Sequence, residues 1–354
     1  MRQVLFHISL ARPWAFWTHV PDHIWPEVGI VWAWLLLFGL WGVWELASHR
    51  ERLTRGVVLQ TLGWWLAGIP LAYVIPLFVP AKSFPVFGYG VMVAIGFSLA
   101  VVDARRRASR QGIDPDRISE GAIWLLFGGV IGGRLFYLLQ YHAQVYEKVE
   151  SFKDLLTATI NLSAGGLVLI GALVGGGLGF VGFCLFRRQP ILNLFDIITP
   201  SIFIGIGFGR IGCLLNGCCF GDRCTLPWGI SFPEKSVPFE ALSRRGFLPP
   251  DAPSTMPLHP TQIYSSLDGF LLAFVTAVLF TERRWPGEVF ATGCVLYAIT
   301  RFLVEFLRGD EIGQLGTGLT ISQLYSIAIV VLGGSILIWH ARRGRSGADG
   351  LRRQ

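Results

Sequence analysis

Charge is scarce in this sequence. Asp, Glu, Lys and Arg make up 15% of its 354 residues, against 52% hydrophobic residues. Soluble domains carry about a quarter charged residues, so the composition excludes an ordinary soluble domain and reads as an integral membrane protein. Metal-ligand spacing is missing too. The six cysteines form no CxxC pair and no histidine stands among them, so no zinc site, metal or cofactor is expected. The opening "MRQVLFHISLARPWAFW" is broken by Arg2, His7 and Arg12, which excludes the continuous apolar core of a cleavable signal peptide. Neither a fixed-period repeat nor a matched pair of broken helices, the mark of inverted transporter halves, is present.

What is present is apolar sequence in membrane-length runs. A span needs about 20 mostly apolar residues. Nine such stretches stand at about 29–47, 58–79, 86–103, 121–141, 165–186, 193–215, 260–280, 288–306 and 319–340. The expected fold is therefore an all-α polytopic membrane protein, with 13 Trp and 26 Phe suited to interfacial belts and lipid-facing surfaces. Basic residues orient it. With the N-terminus outside, the cytoplasmic segments 48–57, 104–120, 187–192, 281–287 and 341–354 hold seventeen of the 30 Lys and Arg. The longer outside segments hold ten. This is the positive-inside pattern for an outside N-terminus and a cytoplasmic C-terminus. The net charge of +7 is thereby a topology signal that calls for no nucleic-acid partner. The long polar stretch 216–258 falls on the outer side.

The other three basic residues, Arg134, Arg210 and Arg301, sit inside apolar runs. A charge at bilayer depth costs at least ~2.5–3.5 kcal/mol, so each needs partners. For Arg301 a structural partner is in sight, because Glu305 follows one helical turn later in "RFLVEFLR". For Arg210 the preceding acid, Asp196, lies near the opposite end of the same run. The functional alternative is a phosphate, whose oxygens match the guanidinium fork. Inside a membrane the abundant phosphate is a phospholipid headgroup. The glycines at 205, 207, 209 and 212 leave room for a lipid or a neighbouring helix to approach.

Ordered motifs extend this reading. "GRIGCLLNGCCFG" resembles the "GRxGNFxNGExxG" signature of the prolipoprotein diacylglyceryl transferase family. "VFGYGVMVAIGF", "GGRLFYLLQY", "GGLVLIGALVG", "LPWGISFP", "HPTQIYSSLDG" and "RFLVEFLR" resemble the family's other blocks in the same order, over about 85–340. The resemblance implies a reaction in which a lipobox cysteine thiol of a prolipoprotein signal peptide attacks the glycerol carbon of phosphatidylglycerol. A thioether forms and glycerol 1-phosphate leaves. It implies no cofactor, and as partners phosphatidylglycerol, the precursor and membrane lipid. The expected location is the cytoplasmic (inner) membrane, with the active site toward the outer, periplasmic side. Carried over by position, Arg210 and Arg301 are the phosphate- and glycerol-contacting arginines and Glu305 the acid beside the second. Tyr89, Arg134, Asn216 and Tyr297 are further phosphatidylglycerol-binding positions, and Asp196 and His259 supporting ones. For His259 a cap on the helix opening at Pro260 stands as the alternative.

Three departures qualify the resemblance. The family's "FHGG" histidine, a proposed thiol base, is Ile170, and the signature's asparagine and glutamate are Cys213 and Cys218. His259, Glu305 or a Cys218 thiolate then stand as alternative bases. A disulfide from Cys218 or Cys219 to Cys213 or Cys224 is the structural alternative for the thiols. Residues 1–85 add two spans to the family plan, 86–340 form the transferase-like core, and 341–354 form a basic cytoplasmic tail. A paralogous transferase with another acceptor, or a lipid-binding or transport protein without chemistry, remain the competing functions.

A tag at position 50 or 345 is expected to be shielded from membrane-impermeant reagents added outside, and a tag near 240 to be labelled. Labelling at 345 from outside contradicts the nine-span arrangement.

Overall fold

The computed structural model describes residues 4–10, 14–16, 18–19, 26–36, 70, 74, 83–146, 151–160, 166–249, 251–308 and 318–351. Apart from positions 70 and 74, the expected span at 58–79 lies outside them, as does the loop at 48–57; of the span at 29–47, residues 30–36 are described and helical. Contacts divide the chain into two compact units, one of residues 1–94 and 209–262, the other of 95–208 and 263–354.

The protein is mostly helical. Among the described residues from 88 onward, ten helices follow one another: α1 Gly88–Arg110, α2 Pro115–Gln140, α3 His142–Tyr146, α4 Phe152–Ile160, α5 Leu169–Phe186, α6 Ile191–Asn216, α7 Val237–Arg244, α8 Thr261–Glu282, α9 Glu288–Glu305 and α10 Ile321–Leu351. Among the described residues α1, α2, α6, α8 and α10 as far as Arg342 are long and apolar enough to cross a membrane, and Ile170–Phe186 is a shorter apolar helix. The chain is thus a multi-pass helical membrane protein. Local chemistry starts its helices. Asp114 Oδ1 accepts from Asp116 N at 3.0 Å with Pro115 in the first turn of α2, and the Ser236 hydroxyl caps α7 in the same way.

In the first unit the chain also forms a sheet that the all-α expectation did not include. β1 Val4–Ser9, β2 Thr18–His19, β3 Pro26–Gly29 and β4 Ser83–Phe87 lie in the order β2-β3-β1-β4. β1 runs parallel to β3, with Ile8 opposite Val28, and antiparallel to β4, with Ile8 opposite Phe84. Pro85, which has no N–H to give a ladder, sits on an edge strand, where it is tolerated. The stretch 216–258 of this unit is folded, with a small core of Phe220, Phe232, Leu242 and Leu258.

In the second unit the core is aromatic and aliphatic, with Phe183, Leu194, Ile197 and Val289 sealed from solvent. α2 and α5 pack through facing glycines. A Cβ at Gly132 would run into Gly171 O and come within 2.7 Å of Gly175 Cα. Small residues let membrane helices approach this closely, and dispersion between backbones then holds them. An apolar groove of about 670 Å³ lies along this pair, lined by Trp124, Phe127, Phe136 and Leu178 among others, and contains none of the expected site residues.

Candidate functional site

In the second unit Arg301 is 4% exposed and Glu305 3%. One turn apart on α9, they form an ion pair, Nη1 to Oε2, at 2.6 Å. A charge pair this dry holds only if its remaining hydrogen-bond capacity is used. Arg301 Nε donates to the Tyr325 hydroxyl at 3.0 Å and Nη2 to Ser322 Oγ at 2.7 Å. Glu305 Oε1 accepts from Thr320 Oγ1 at 2.8 Å, and Arg308 Nη1 lies 3.5 Å from Oε2. Thr320 has a second task. Its hydroxyl accepts from Gln323 N at 3.2 Å while Gln323 Oε1 accepts from Thr320 N at 3.0 Å, a capping box that starts α10. The predicted Arg301–Glu305 pairing is therefore present, embedded in a network from α10.

Asp196 is fully buried and serves α9 from its other end. Its Oδ2 accepts from Gly287 N at 2.7 Å, its Oδ1 from Phe290 N at 2.9 Å, and Arg283 Nη1 pairs with Oδ2 at 3.2 Å. A carboxylate on the first N–H groups of a helix satisfies groups with no intrahelical partner and favours the positive end of the dipole. Asp196 thus anchors the helix that carries Tyr297, Arg301 and Glu305. The Tyr297 ring packs on Phe203, with centroids 6.0 Å apart. Arg134 is committed to backbone: Nε donates to Thr159 O at 2.9 Å, Nη2 to Ala158 O at 2.6 Å and Nη1 to Gly166 O at 3.1 Å. It closes the carbonyl end of α4, a structural use of an intramembrane arginine.

In the first unit Arg210 is half-buried near the end of α6. Its two neighbouring glycines have different uses. Gly212 faces Tyr89, where an added Cβ would come within 3.3 Å of the backbone, whereas a Cβ at Gly209 would meet no described atom within 4 Å. Packing requires the first glycine and not the second. Tyr89 lies within electrostatic reach of Arg210 and of Cys213, Cys218 and Cys219. His259 holds the chain by its backbone, its O accepting from Gly221 N at 3.0 Å and from Thr261 N at 2.8 Å, at the entry to α8.

All six cysteines are thiols. The sulfurs of Cys213, Cys218 and Cys219 lie within 4.8 Å of one another, and Cys224 stands apart, its Sγ donating to Leu226 O. The Cys213 and Cys219 thiols and the Asn216 side chain hydrogen-bond to Cys218 and hold its thiol well below the ordinary cysteine range, against the opposing effect of burial. The structure thus gathers Tyr89, Arg210, Asn216 and Cys218 in one unit and Arg301 with Glu305 in the other. Asp196 and Arg134 serve elsewhere. Sequence reasoning missed Ser322, Tyr325 and Thr320. Their signal was the capping-box spacing in "TISQLY" and two polar groups three residues apart on an apolar helix.

These features define a polytopic membrane protein with guanidinium groups built into its helices. The chain belongs to the prolipoprotein diacylglyceryl transferase family, whose model matches residues 76–339. Named relatives span most of its length. A phosphatidylglycerol–prolipoprotein diacylglyceryl transferase of Clostridium tetani is 35% identical, covering 70% of this chain and 90% of the relative. One of Clostridium perfringens, numbered 2, is 31% identical over 73% and 91%. That of Rhodopirellula baltica is 27% identical over 86% and 84%.

Asp196→Ala is expected to lower stability by about 3 kcal/mol, because it removes the carboxylate from Arg283 and leaves the Gly287 and Phe290 N–H groups without their acceptor; thermal unfolding in detergent reads this. Asp196→Asn, which keeps an acceptor, should lose less. A change below about 0.5 kcal/mol for the alanine variant contradicts the anchoring role.

Proposed function

We propose that this protein transfers the diacylglyceryl group of phosphatidylglycerol to the lipobox cysteine of prolipoproteins. The sulfur forms a bond to the glycerol carbon as the carbon–oxygen bond to phosphate breaks, and glycerol 1-phosphate departs with the electron pair. The thiol proton passes to a base. The observation that carries this reading is Arg210, half-buried in a membrane helix beside Gly209, where an added Cβ would meet no described atom within 4 Å, in a chain of this family. A guanidinium there supplies a fixed positive charge and a two-pronged donor where the phosphate gathers charge, and such preorganised donors are worth most in a dry site.

Arg301 takes the second phosphate-contacting role, its guanidinium plane fixed by Glu305, Ser322 and Tyr325. Tyr89, Asn216 and Tyr297 are further lipid-binding residues, and Arg134 and Asp196 support the helices. Glu305 is committed to two arginines and Thr320. The hydrogen bonds from Cys213, Cys219 and Asn216 that lower the Cys218 pKa make it a weaker acceptor for a substrate thiol. His259 stands as the alternative base. The protein spans the inner membrane nine times with an outside N-terminus and a cytoplasmic C-terminus, and its chemistry faces the periplasmic side. Residues 1–85 add two spans, 86–340 form the transferase core and 341–354 a cytoplasmic tail. One observation favours a second reading, a paralogue with another acceptor: Ile170, Cys213 and Cys218 replace family residues at three positions.

Purified protein, labelled phosphatidylglycerol and a lipobox peptide should yield labelled thioether. Release of glycerol phosphate without peptide labelling favours the paralogue, and binding without turnover removes the enzyme. Arg210→Ala should reduce the transfer rate ~10²–10³-fold. Arg210→Lys, which keeps the charge but loses the fork, should stay impaired, and Arg134→Ala should lose less than either. Near-normal transfer by folded Arg210→Ala excludes that residue from the mechanism. Arg301→Ala is a poorer probe, since it leaves Glu305 buried without its partner and destabilises the fold.

A further inference from the structure

The residues that close α6 build a thiol cluster that the transfer reaction does not use. Gly217, at φ 80°, ends the helix: its N–H donates to Cys213 O at 2.8 Å and to Leu214 O at 3.2 Å, and Cys218 N donates to Cys213 O at 3.1 Å. In this left-handed closing turn the residues at the Cys213 and Cys218 positions meet side by side, usually as an apolar pair. Here both are cysteines. Cys219 then takes φ 58°, a conformation that its Cβ disfavours, and the third sulfur joins the other two within 4.8 Å. The spacing C-x4-C-C matches no common zinc motif, and for that reason the sequence alone gave no metal expectation. The helix-closing geometry does what the spacing did not show.

The next helix braces the cluster. Thr261 Oγ1 donates to Cys219 O at 2.7 Å and Gln262 Nε2 to Cys218 O at 2.9 Å. Gln262 is 1% exposed, and the Oε1 of the same amide is buried with no hydrogen-bond partner among the described residues. A buried acceptor with no donor is costly and calls for an explanation. A cation, or a water bound to one, satisfies it. Zinc–sulfur bonds of about 2.3 Å place sulfurs roughly 4 Å apart, so closing the cluster on an ion needs sulfur shifts of about 1 Å or less. One disulfide would use two thiols and strand the third, and a bridge between the adjacent Cys218 and Cys219 would be strained.

We propose that Cys213, Cys218 and Cys219 bind one thiophilic closed-shell cation, Zn(II), as three thiolates, with the fourth position filled by Gln262 Oε1 or a water held by it. Three thiolates and Zn(II) leave one net negative charge, where Cu(I) would leave two at the border of a low-dielectric layer. The thiols that are protonated beforehand release their protons to solvent on binding. The site adjoins the lipid-binding residues, since Asn216 hydrogen-bonds to Cys218, but no step of the transfer runs through the cation.

The test uses the full-length, reduced protein in nanodiscs, titrated with Zn(II) against a chromophoric chelator and with Cd(II) for thiolate-to-metal absorption. One equivalent should bind. Cys213→Ser, Cys218→Ser and Cys219→Ser should each weaken binding ~100-fold or more, Gln262→Leu about 10-fold, and Cys224→Ser should leave it unchanged. Three results overturn the site: no stoichiometric Zn(II) binding by folded wild type, equal binding by the three serine variants, or a Cys213–Cys218 disulfide that forms even with Zn(II) present throughout purification. The measurement needs neither lipid nor peptide, so its failure is distinct from failure of the transferase reading.

Discussion

A guanidinium group keeps its charge at any accessible pH, so an arginine within a membrane helix forces the rest of the fold to answer it. This chain answers in three ways. Arg134 is absorbed by backbone carbonyls at the end of α4. Arg301 is absorbed by a carboxylate one turn away and by hydroxyls from α10. Arg210 stands half-buried beside a glycine at which, among the described residues, nothing fills the place of a side chain. The first answer is architectural. The second builds a rigid, oriented charge, and the third keeps room beside one.

Rigidity around Arg301 is layered. Asp196 holds the first N–H groups of α9, Glu305 sits near its end, and Thr320 both starts α10 and binds Glu305. A fault at any of these points is passed along α9 to the arginine, since a buried pair that loses one partner destabilises far more than the pair itself contributes. Stability and the role proposed for Arg301 are therefore coupled in this unit. In the other unit stability and the proposed role are more separable, because Arg210 lies on α6 before the helix-closing turn that gathers the thiols.

Much of this was legible in the sequence. Between 86 and 340 every expected apolar run is a helix, because length and hydropathy are local properties. The Arg301–Glu305 pair was legible because i,i+4 spacing is local as well. The partner of Asp196 was not: Arg283 lies far away in sequence, and no periodicity couples the two. Nor was the sheet of the first unit, where short strands between 4 and 29 pair with residues 83–87 across a long gap. The thiol cluster was hidden for another reason. Metal motifs are read as spacings along a strand, knuckle or helix, and here a left-handed turn brings together a spacing outside that vocabulary.

Recognition of a phospholipid phosphate by Arg210 should appear as headgroup selectivity. Binding of phosphatidylglycerol and of diacylglycerol, which lacks the phosphate, would be compared by native mass spectrometry for wild type, Arg210→Ala and Arg134→Ala. Wild type and folded Arg134→Ala should prefer phosphatidylglycerol, and Arg210→Ala should lose that preference. Undiminished preference in a folded Arg210→Ala protein would contradict phosphate recognition by Arg210.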